Sequence, residues 1–159
     1  MNNILEILEK NGKTDTATIA AMLGKSADEI KKSVDEYEKS GVINGYTTLI
    51  DWDKTDIEKV TALIEVKVTP QRGEGFDKVA ERIYKFKQVR SCYLMSGGFD
   101  LTVIVEGRSM KEVALFVAEK LAPIENVLST STHFVLKKYK DMGVSFEQKH
   151  EDNREVVVL

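Results

Sequence analysis

The sequence has little of the chemistry that marks a secreted, metal-binding or membrane-spanning protein. A single cysteine, Cys92, excludes an intramolecular disulfide, and two distant histidines, His133 and His150, give no metal-ligand spacing. Apolar runs are only a few residues long, against the roughly 20 residues needed to cross a bilayer. The start, Met1-Asn2-Asn3, does not resemble a signal peptide. We therefore expect a cytoplasmic protein with no metal, cofactor or membrane partner.

The sequence also has no excess of positive charge. The 159 residues carry 23 Lys and Arg against 26 Asp and Glu, a net charge of −3. Residues 1–50 contain six Lys, no Arg and eight Asp or Glu, which gives this segment a net charge of −2. Composition alone therefore does not indicate a nucleic-acid binder. Apolar residues are plentiful, at 42%, and suffice for one domain or two small ones.

Residues 2–45 predict three short helices, because apolar residues recur at helical spacing. Asn11-Gly12, Gly24 and Ser40-Gly41 follow the three helices, where such residues end a helix. Ser26 and Glu29 have the spacing of a capping box at the start of the third. The inward residues are predicted to be Ile4, Leu5 and Leu8; Ile19, Ala20, Met22 and Leu23; and Ile30, Val34 and Tyr37.

After the third helix the pattern changes to strands. Residues 42–46 predict a strand that enters a tight turn at Asn44-Gly45, and residues 47–50 predict the return strand. This hairpin would form a wing beside the helices. The polar stretch 51–56 is typical of a linker, so we place the boundary near residue 55, with a helical head over 1–55 and a second domain over 56–159.

The second domain predicts the order β-α-β-β-α-β. The strands are expected over 60–68, 89–95, 101–105 and 127–136. The second helix opens with a capping box at Ser109 and Glu112. The helix residues expected to face inward are Phe76, Val79, Ala80, Ile83 and Tyr84 in the first, and Met110, Val113, Ala114, Val117 and Leu121 in the second. The predicted fold class is α+β, a helix-turn-helix (winged) head followed by a ferredoxin-like βαββαβ domain.

A ferredoxin-like sheet has helices on one face only. We expect apolar strand residues on the other face, and therefore at least a back-to-back dimer that covers them. The last residues, 156–159, are apolar and β-branched apart from Leu159, so we expect them to add a strand to a sheet edge.

Several stretches in this order resemble the leucine-responsive and asparagine-operon regulators, the Lrp/AsnC (feast/famine) family. The resemblance implies a DNA-binding transcription regulator that forms dimers and rings of dimers and binds a small effector, usually an amino acid. The matching stretches are Ile19-Ala20, Leu23-Gly24-Lys25-Ser26, Gly41-Val42-Ile43-Asn44-Gly45-Tyr46, Ser96-Gly97-Gly98-Phe99-Asp100, Thr130-Ser131-Thr132 and Leu136-Lys137.

In a helix-turn-helix the second helix of the pair lies in the major groove of double-stranded DNA, which here is the helix over 27–39. Family members commonly carry an Arg where this sequence has Ser33, and the acidic balance of the head leaves open a solvated face that only mediates protein contacts. The predicted DNA-contacting residues are Lys25 and Ser26, near the phosphates, with Asp28, Lys31, Lys32 and Asp35 facing outward.

The resemblance makes the loop from Ser96 to Asp100, with Phe99 inside it, the effector loop. Gly97 and Gly98 allow backbone N–H groups to approach a ligand carboxylate, and Asp100 can accept a hydrogen bond from an ammonium group. Without the resemblance, a simple hairpin connection explains the glycines equally well. Thr130 and Thr132 share one face of the last strand and are candidates to complete the pocket, although alternating threonines are ordinary in strands.

Two other functions remain open from the sequence. One is a ligand-sensing or interaction protein whose acidic head binds DNA weakly. The other is an enzyme, since the sirohaem decarboxylases resemble this family, but those rely on His and Arg around a large pocket. No paired carboxylates and no nucleophile–base spacing stand out here, so we expect no enzymatic activity.

Overall fold

The computed structural model describes residues 3–70 and 75–146. The chain divides into two compact units between Ile50 and Asp51. The first unit holds three helices, α1 (Ile4–Lys10), α2 (Thr16–Leu23) and α3 (Ala27–Lys39). Its core is a small apolar cluster, because each helix buries only one stripe of its surface. The fully packed members are Ile4, Ile7, Ile19, Ala20 and Ile30, with Leu8, Leu23, Val34 and Tyr37 partly buried against them.

The structure confirms the predicted start of α3 and the predicted end of α2. The Ser26 hydroxyl accepts from the Glu29 N–H, and the Glu29 carboxylate accepts from the Ser26 N–H, which completes the capping box of α3. Gly24 ends α2 in the left-handed region, at φ +65°, where glycine carries no Cβ penalty. Met22 was wrongly predicted to face inward. Its side chain is 65% exposed, because the buried face of α2 turns toward Ala20.

The wing hairpin predicted over 42–50 is wrong, since no strand forms in this segment. The N–H groups of Val42 and Ile43 instead donate to the Tyr37 carbonyl at the end of α3. Neither Asn44 nor Gly45 has the positive φ that a two-residue hairpin requires. The Asn44 side chain donates to the Gly41 carbonyl, at 2.9 Å. These local bonds hold residues 41–44 against the end of α3, where the first strand of the hairpin would otherwise begin.

The second unit has the predicted βαββαβ order. A 3₁₀ turn (Trp52–Lys54) precedes β1 (Val60–Val68), α4 (Asp77–Tyr84), β2 (Val89–Leu94) and β3 (Leu101–Gly107). α5 (Met110–Phe116), a π-helical turn (Val117–Leu121) and β4 (Val127–Phe134) follow, and β5 (Lys140–Asp141) pairs with β6 (Val144–Ser145) in a short hairpin. The four main strands lie in the order β2-β3-β1-β4, and neighbours are antiparallel. This is the ferredoxin-like fold that the sequence predicts.

The core of this unit lies between the sheet and its two helices. Three of the residues predicted to face inward from this segment, Val113, Val117 and Leu121, are buried in this core. Met110 and Ala114 are exposed, whereas Phe116 is buried and meets Phe86 edge-on at 5.4 Å between ring centroids. The buried core residues include Ile64, Val66, Val79, Ile83, Val103, Val113 and Leu121.

The helix-free face of the sheet is mixed rather than apolar, so the expectation of a bare apolar face is wrong. Alternation along β1 places its buried residues toward the helices and leaves Thr61, Leu63, Glu65 and Lys67 on the other side. Leu63, Ile104 and Tyr93 are the apolar members of the helix-free face. Its polar members include Glu65, Glu106, Ser131 and His133. The tail predicted to add a strand, 156–159, lies outside the described residues.

Candidate functional site

The candidate DNA-contacting residues lie on the exposed surface of α3 and the turn before it. Lys25, Asp28, Lys31, Lys32 and Asp35 are all exposed. Within the described residues none of these five side chains forms a hydrogen bond or ion pair with the chain. The charges on α3 are therefore free to meet an external partner, and the inner face of the helix holds Ile30 against the head core.

Ser26 differs from the other five, because its hydroxyl is already bonded. It accepts from the Glu29 N–H at 3.2 Å and donates to the Glu29 carboxylate at 2.9 Å. Hydrogen bonds from the Ser26 N–H and hydroxyl, helped by the nearby positive charge of Lys25, lower the pKa of Glu29. The start of α3 therefore carries a fixed negative charge where a phosphate would otherwise approach the helix dipole.

The candidate effector loop joins β2 to β3 at one end of the sheet. Ser96, Gly97 and Gly98 are exposed, and Phe99 is half-buried. Gly97 has φ +145°, in the region that favours glycine, and open space surrounds the position of a Cβ there. The loop therefore presents bare backbone to solvent, as contact with a small ligand requires.

Asp100 has a structural bond that the sequence did not reveal. One of its carboxylate oxygens accepts from the Val68 N–H at 2.9 Å, and its own N–H donates to the Val66 carbonyl at 3.1 Å. Lys67 pairs with Ser129 and Val68 with Val127, so a bulge displaces the β1–β4 ladder beside this contact. Asp100 holds the loop to the end of β1 through one oxygen, which leaves its second oxygen for a ligand.

Thr130 and Thr132 lie on β4 and do not meet the loop within this chain. Thr130 pairs with Val66, and Val66 pairs in turn with Leu101, so β1 separates the threonine from the start of β3. Two strand spacings put about 10 Å between those backbones. Both threonines are half-buried on the side of the sheet that faces the helices. A pocket that uses the loop and the threonines together therefore needs a ligand that spans β1 or a second copy of the chain.

A buried donor lies at the same end of the sheet and has no signal in the sequence. Asn126 adopts φ +72°, and its carbonyl accepts from the Thr69 N–H at 2.9 Å, one residue beyond Val68. Its side-chain Nδ2 is buried and has no hydrogen-bond partner among the residues described. A buried amide donor that lacks a partner is costly, and this cost falls at the position where the chain enters β4 beside the end of β1.

The remaining residues singled out by the sequence have ordinary surroundings. His133 lies on the helix-free face, with Nε2 3.3 Å from the Ser131 hydroxyl and 3.5 Å from a Glu65 oxygen. Cys92 is half-buried against the sheet core, and this burial raises the pKa of its thiol, which disfavours the reactive thiolate. In the part of the chain that the structure describes, no group of three His, Cys, Asp or Glu residues is placed to hold a metal ion. No helix within that part is long and apolar enough to span a membrane.

Comparison with known proteins connects these two units to one family. The family model described as Lrp/AsnC ligand binding domain matches residues 61–145. The chain is 54% identical over 155 residues to the uncharacterized HTH-type transcriptional regulator YugG of Bacillus subtilis, covering 97% of this chain and 93% of that protein. It is 32% identical over 137 residues to the HTH-type transcriptional regulator LrpA of Pyrococcus horikoshii, covering 86% of this chain and 94% of LrpA.

A solved structure supports the fold. The transcriptional regulator NMB0573 of Neisseria meningitidis, determined as a complex with L-Met, superposes with a TM-score of 0.68 at 21% identity, over 92% of this chain and 94% of that chain. The three-helix head and the ferredoxin-like ligand-binding domain thus define an HTH-type transcriptional regulator. The chain belongs to the Lrp/AsnC family of these regulators, as the resemblance in the sequence predicted.

Proposed function

We propose that this chain binds double-stranded DNA through α3 and regulates transcription in response to an amino acid. In this proposal the head over 1–55 contacts DNA, and the domain over 56–159 binds the effector and forms the dimer. The observation that carries the proposal is a set of exposed lysines, Lys25 in the turn before α3 and Lys31 and Lys32 on α3, whose side chains form no hydrogen bond or ion pair within the described residues. Lysine supplies the charge that neutralises phosphate and releases counterions.

An electrophoretic mobility shift tests DNA binding directly. The full chain is titrated onto the duplex upstream of its own gene, at about 50 and about 200 mM salt, with unrelated duplex as competitor. A retarded band that survives the competitor supports the proposal. Absence of a retarded band at the lower salt contradicts it.

The effector half of the proposal rests on the backbone and carboxylate of the 96–100 loop. The exposed N–H groups around Gly97 and Gly98 suit a ligand carboxylate, and the free oxygen of Asp100 suits an ammonium group. A zwitterionic amino acid carries both groups. The L-Met in the Neisseria meningitidis structure supports this class of ligand.

Titration calorimetry against the twenty amino acids tests this half. Asp100→Asn keeps an oxygen for the Val68 N–H and removes the charge, so affinity should fall by about 1.5–3 kcal/mol, or ten- to a hundredfold. Circular dichroism checks that the variant is folded. Equal binding by wild type and the folded variant would place the pocket elsewhere, and no binding by wild type would contradict an amino-acid effector.

The proposal includes a homo-oligomer, a dimer or a ring of dimers. Leu63, Ile104 and Tyr93 on the helix-free face provide apolar contact surface, and Tyr93 is 52% exposed. The polar residues on the same face, including Glu65 and His133, suit hydrogen bonds across a symmetric interface.

A ligand-sensing protein with weak DNA affinity is the second candidate function. The net charge of −2 over residues 1–50 and the closed capping box at Ser26 and Glu29 favour it, since both repel phosphate at α3. Amino-acid binding without a retarded DNA band would support this candidate over the first. The relatives are named as regulators, and we propose no catalytic activity.

A further inference from the structure

We propose that Asp28 and Asp35 select cytosine, so that the DNA site of this protein carries two C·G base pairs about three base pairs apart. This inference rests on the proposed function, in which α3 enters the major groove. It assigns a role in sequence discrimination to the acidic residues that otherwise count against DNA binding.

The two carboxylates lie on one exposed stripe of α3. Residues 28, 32, 35 and 39 follow each other at steps of four, three and four, which places them on the same side of a helix. The charges alternate along this stripe, in the order Asp28, Lys32, Asp35 and Lys39. The stripe lies on the side of α3 opposite the buried Ile30. Seven residues of helix rise about 10.5 Å between Asp28 and Asp35, close to the length of three base-pair steps.

Neither carboxylate forms a hydrogen bond or ion pair within the described residues. Asp28 has Lys31 and Lys32 three and four residues later, yet no ion pair or hydrogen bond forms among them in the described residues. Glu29, the next residue, contrasts with them because its carboxylate is bound to Ser26 in the helix cap. Asp28 also lies in the first turn of α3, where its negative charge favours the helix dipole, but its carboxylate and that of Asp35 remain exposed acceptors.

The chemistry of the major groove determines what such acceptors can face. A carboxylate only accepts hydrogen bonds, so phosphates, guanine O6 and N7 and thymine O4 all repel it. The cytosine N4 amino group donates, and Glu or Asp is the side chain that accepts from it. Adenine N6 also donates, but the adjacent N7 acceptor opposes a carboxylate. Two acids on the groove-facing stripe thus disfavour most sequences and favour C·G at two positions, which is specificity by repulsion.

Selection from a randomised duplex library, with sequencing of the retained duplexes, tests the inference. Full-length wild type is compared with Asp28→Ala and Asp35→Ala, which remove one acceptor each and suit a helix. Glu9→Ala is the matched control, because Glu9 is an exposed acid without an intramolecular partner among the described residues, and it lies on α1. Affinities of the selected duplex, and of the same duplex with each C·G changed to T·A, are then measured by fluorescence anisotropy.

Wild type and Glu9→Ala should select the same two C·G pairs, and each Asp variant should lose the preference at one of them. The loss should be about tenfold in discrimination between C·G and T·A, while affinity for unrelated duplex rises about two- to fivefold as a repulsive charge disappears. A wild-type motif without C·G pairs at this spacing, or one that both Asp variants retain, would overturn this inference and leave DNA binding intact. Failure of wild type to retain any duplex would overturn the proposed function together with it, and retention of duplexes without a motif would overturn this inference alone.

Discussion

At the scale of single residues, two candidate side chains already serve the fold. Ser26 closes the cap of α3 with Glu29, and Asp100 holds the 96–100 loop to Val68. The first bond was predictable, because a capping box is a local pattern of four residues. The second was not, since it joins residues 32 positions apart and depends on a bulge in the sheet.

The cap of α3 should make the head sensitive to acid. The pKa of Glu29 is lowered in the folded chain, chiefly by the hydrogen bonds from Ser26, so its contribution to stability is present above the ordinary Glu pKa and is lost as the pH falls through the lowered value. We expect the protection of amides at the start of α3, relative to the intrinsic exchange rate at each pH, to decrease as the pH falls below the ordinary pKa of Glu. NMR-detected hydrogen exchange measures this.

Glu29→Gln supplies the control for that measurement. It keeps an oxygen that can accept from Ser26 but removes the titrating charge. The protection of amides at the start of α3 should therefore depend less on pH in this variant than in wild type. Exchange with the same pH dependence in both proteins would show that the Glu29 charge does not stabilise the cap.

At the scale of elements, the sequence predicts the helices and strands better than the connections. The β strands follow from alternation of apolar residues, and α3 follows from its cap and its stripe at Ile30. The hairpin over 42–50 failed because the Asn44-Gly45 pair has no strand partner, while the carbonyls at the end of α3 offer bonds nearby. Tyr46 then reaches back to α3, where its hydroxyl donates to Glu38 at 2.9 Å.

The error in α5 gives a sharp test of its packing. Phe116 is 4% exposed and Met110 is 52% exposed, the reverse of the prediction from helical periodicity. Phe116→Ala should lower the free energy of unfolding of the sheet domain by about 3–5 kcal/mol through a cavity beside Phe86. Met110→Ala should change it by less than about 0.5 kcal/mol. Urea denaturation compares them, and equal effects would contradict the observed register of α5.

At the scale of the whole molecule, we expect self-association. Light scattering at micromolar concentration should give at least twice the chain mass of 17.9 kDa. Tyr93→Asp introduces a charge on the helix-free face and should shift the protein toward monomer. Tyr84→Asp is the control, since Tyr84 is similarly exposed but lies on α4, and it should leave the dimer intact. A wild type that scatters as a single 17.9 kDa species removes the basis for the dimer.

The salt dependence of DNA affinity tests the central proposal, that α3 faces the duplex, most directly. Three proteins are titrated onto one duplex across a range of salt concentrations: wild type, the α3 double variant Lys31→Ala/Lys32→Ala, and a control double variant on the sheet domain, Lys87→Ala/Lys111→Ala. Each phosphate contact contributes about 0.9 to the slope of log affinity against log salt. The α3 double variant should therefore bind more weakly, and its slope should be shallower than that of wild type by about two units. The control should retain both affinity and slope. Unchanged affinity and slope in the α3 variant would contradict the proposal.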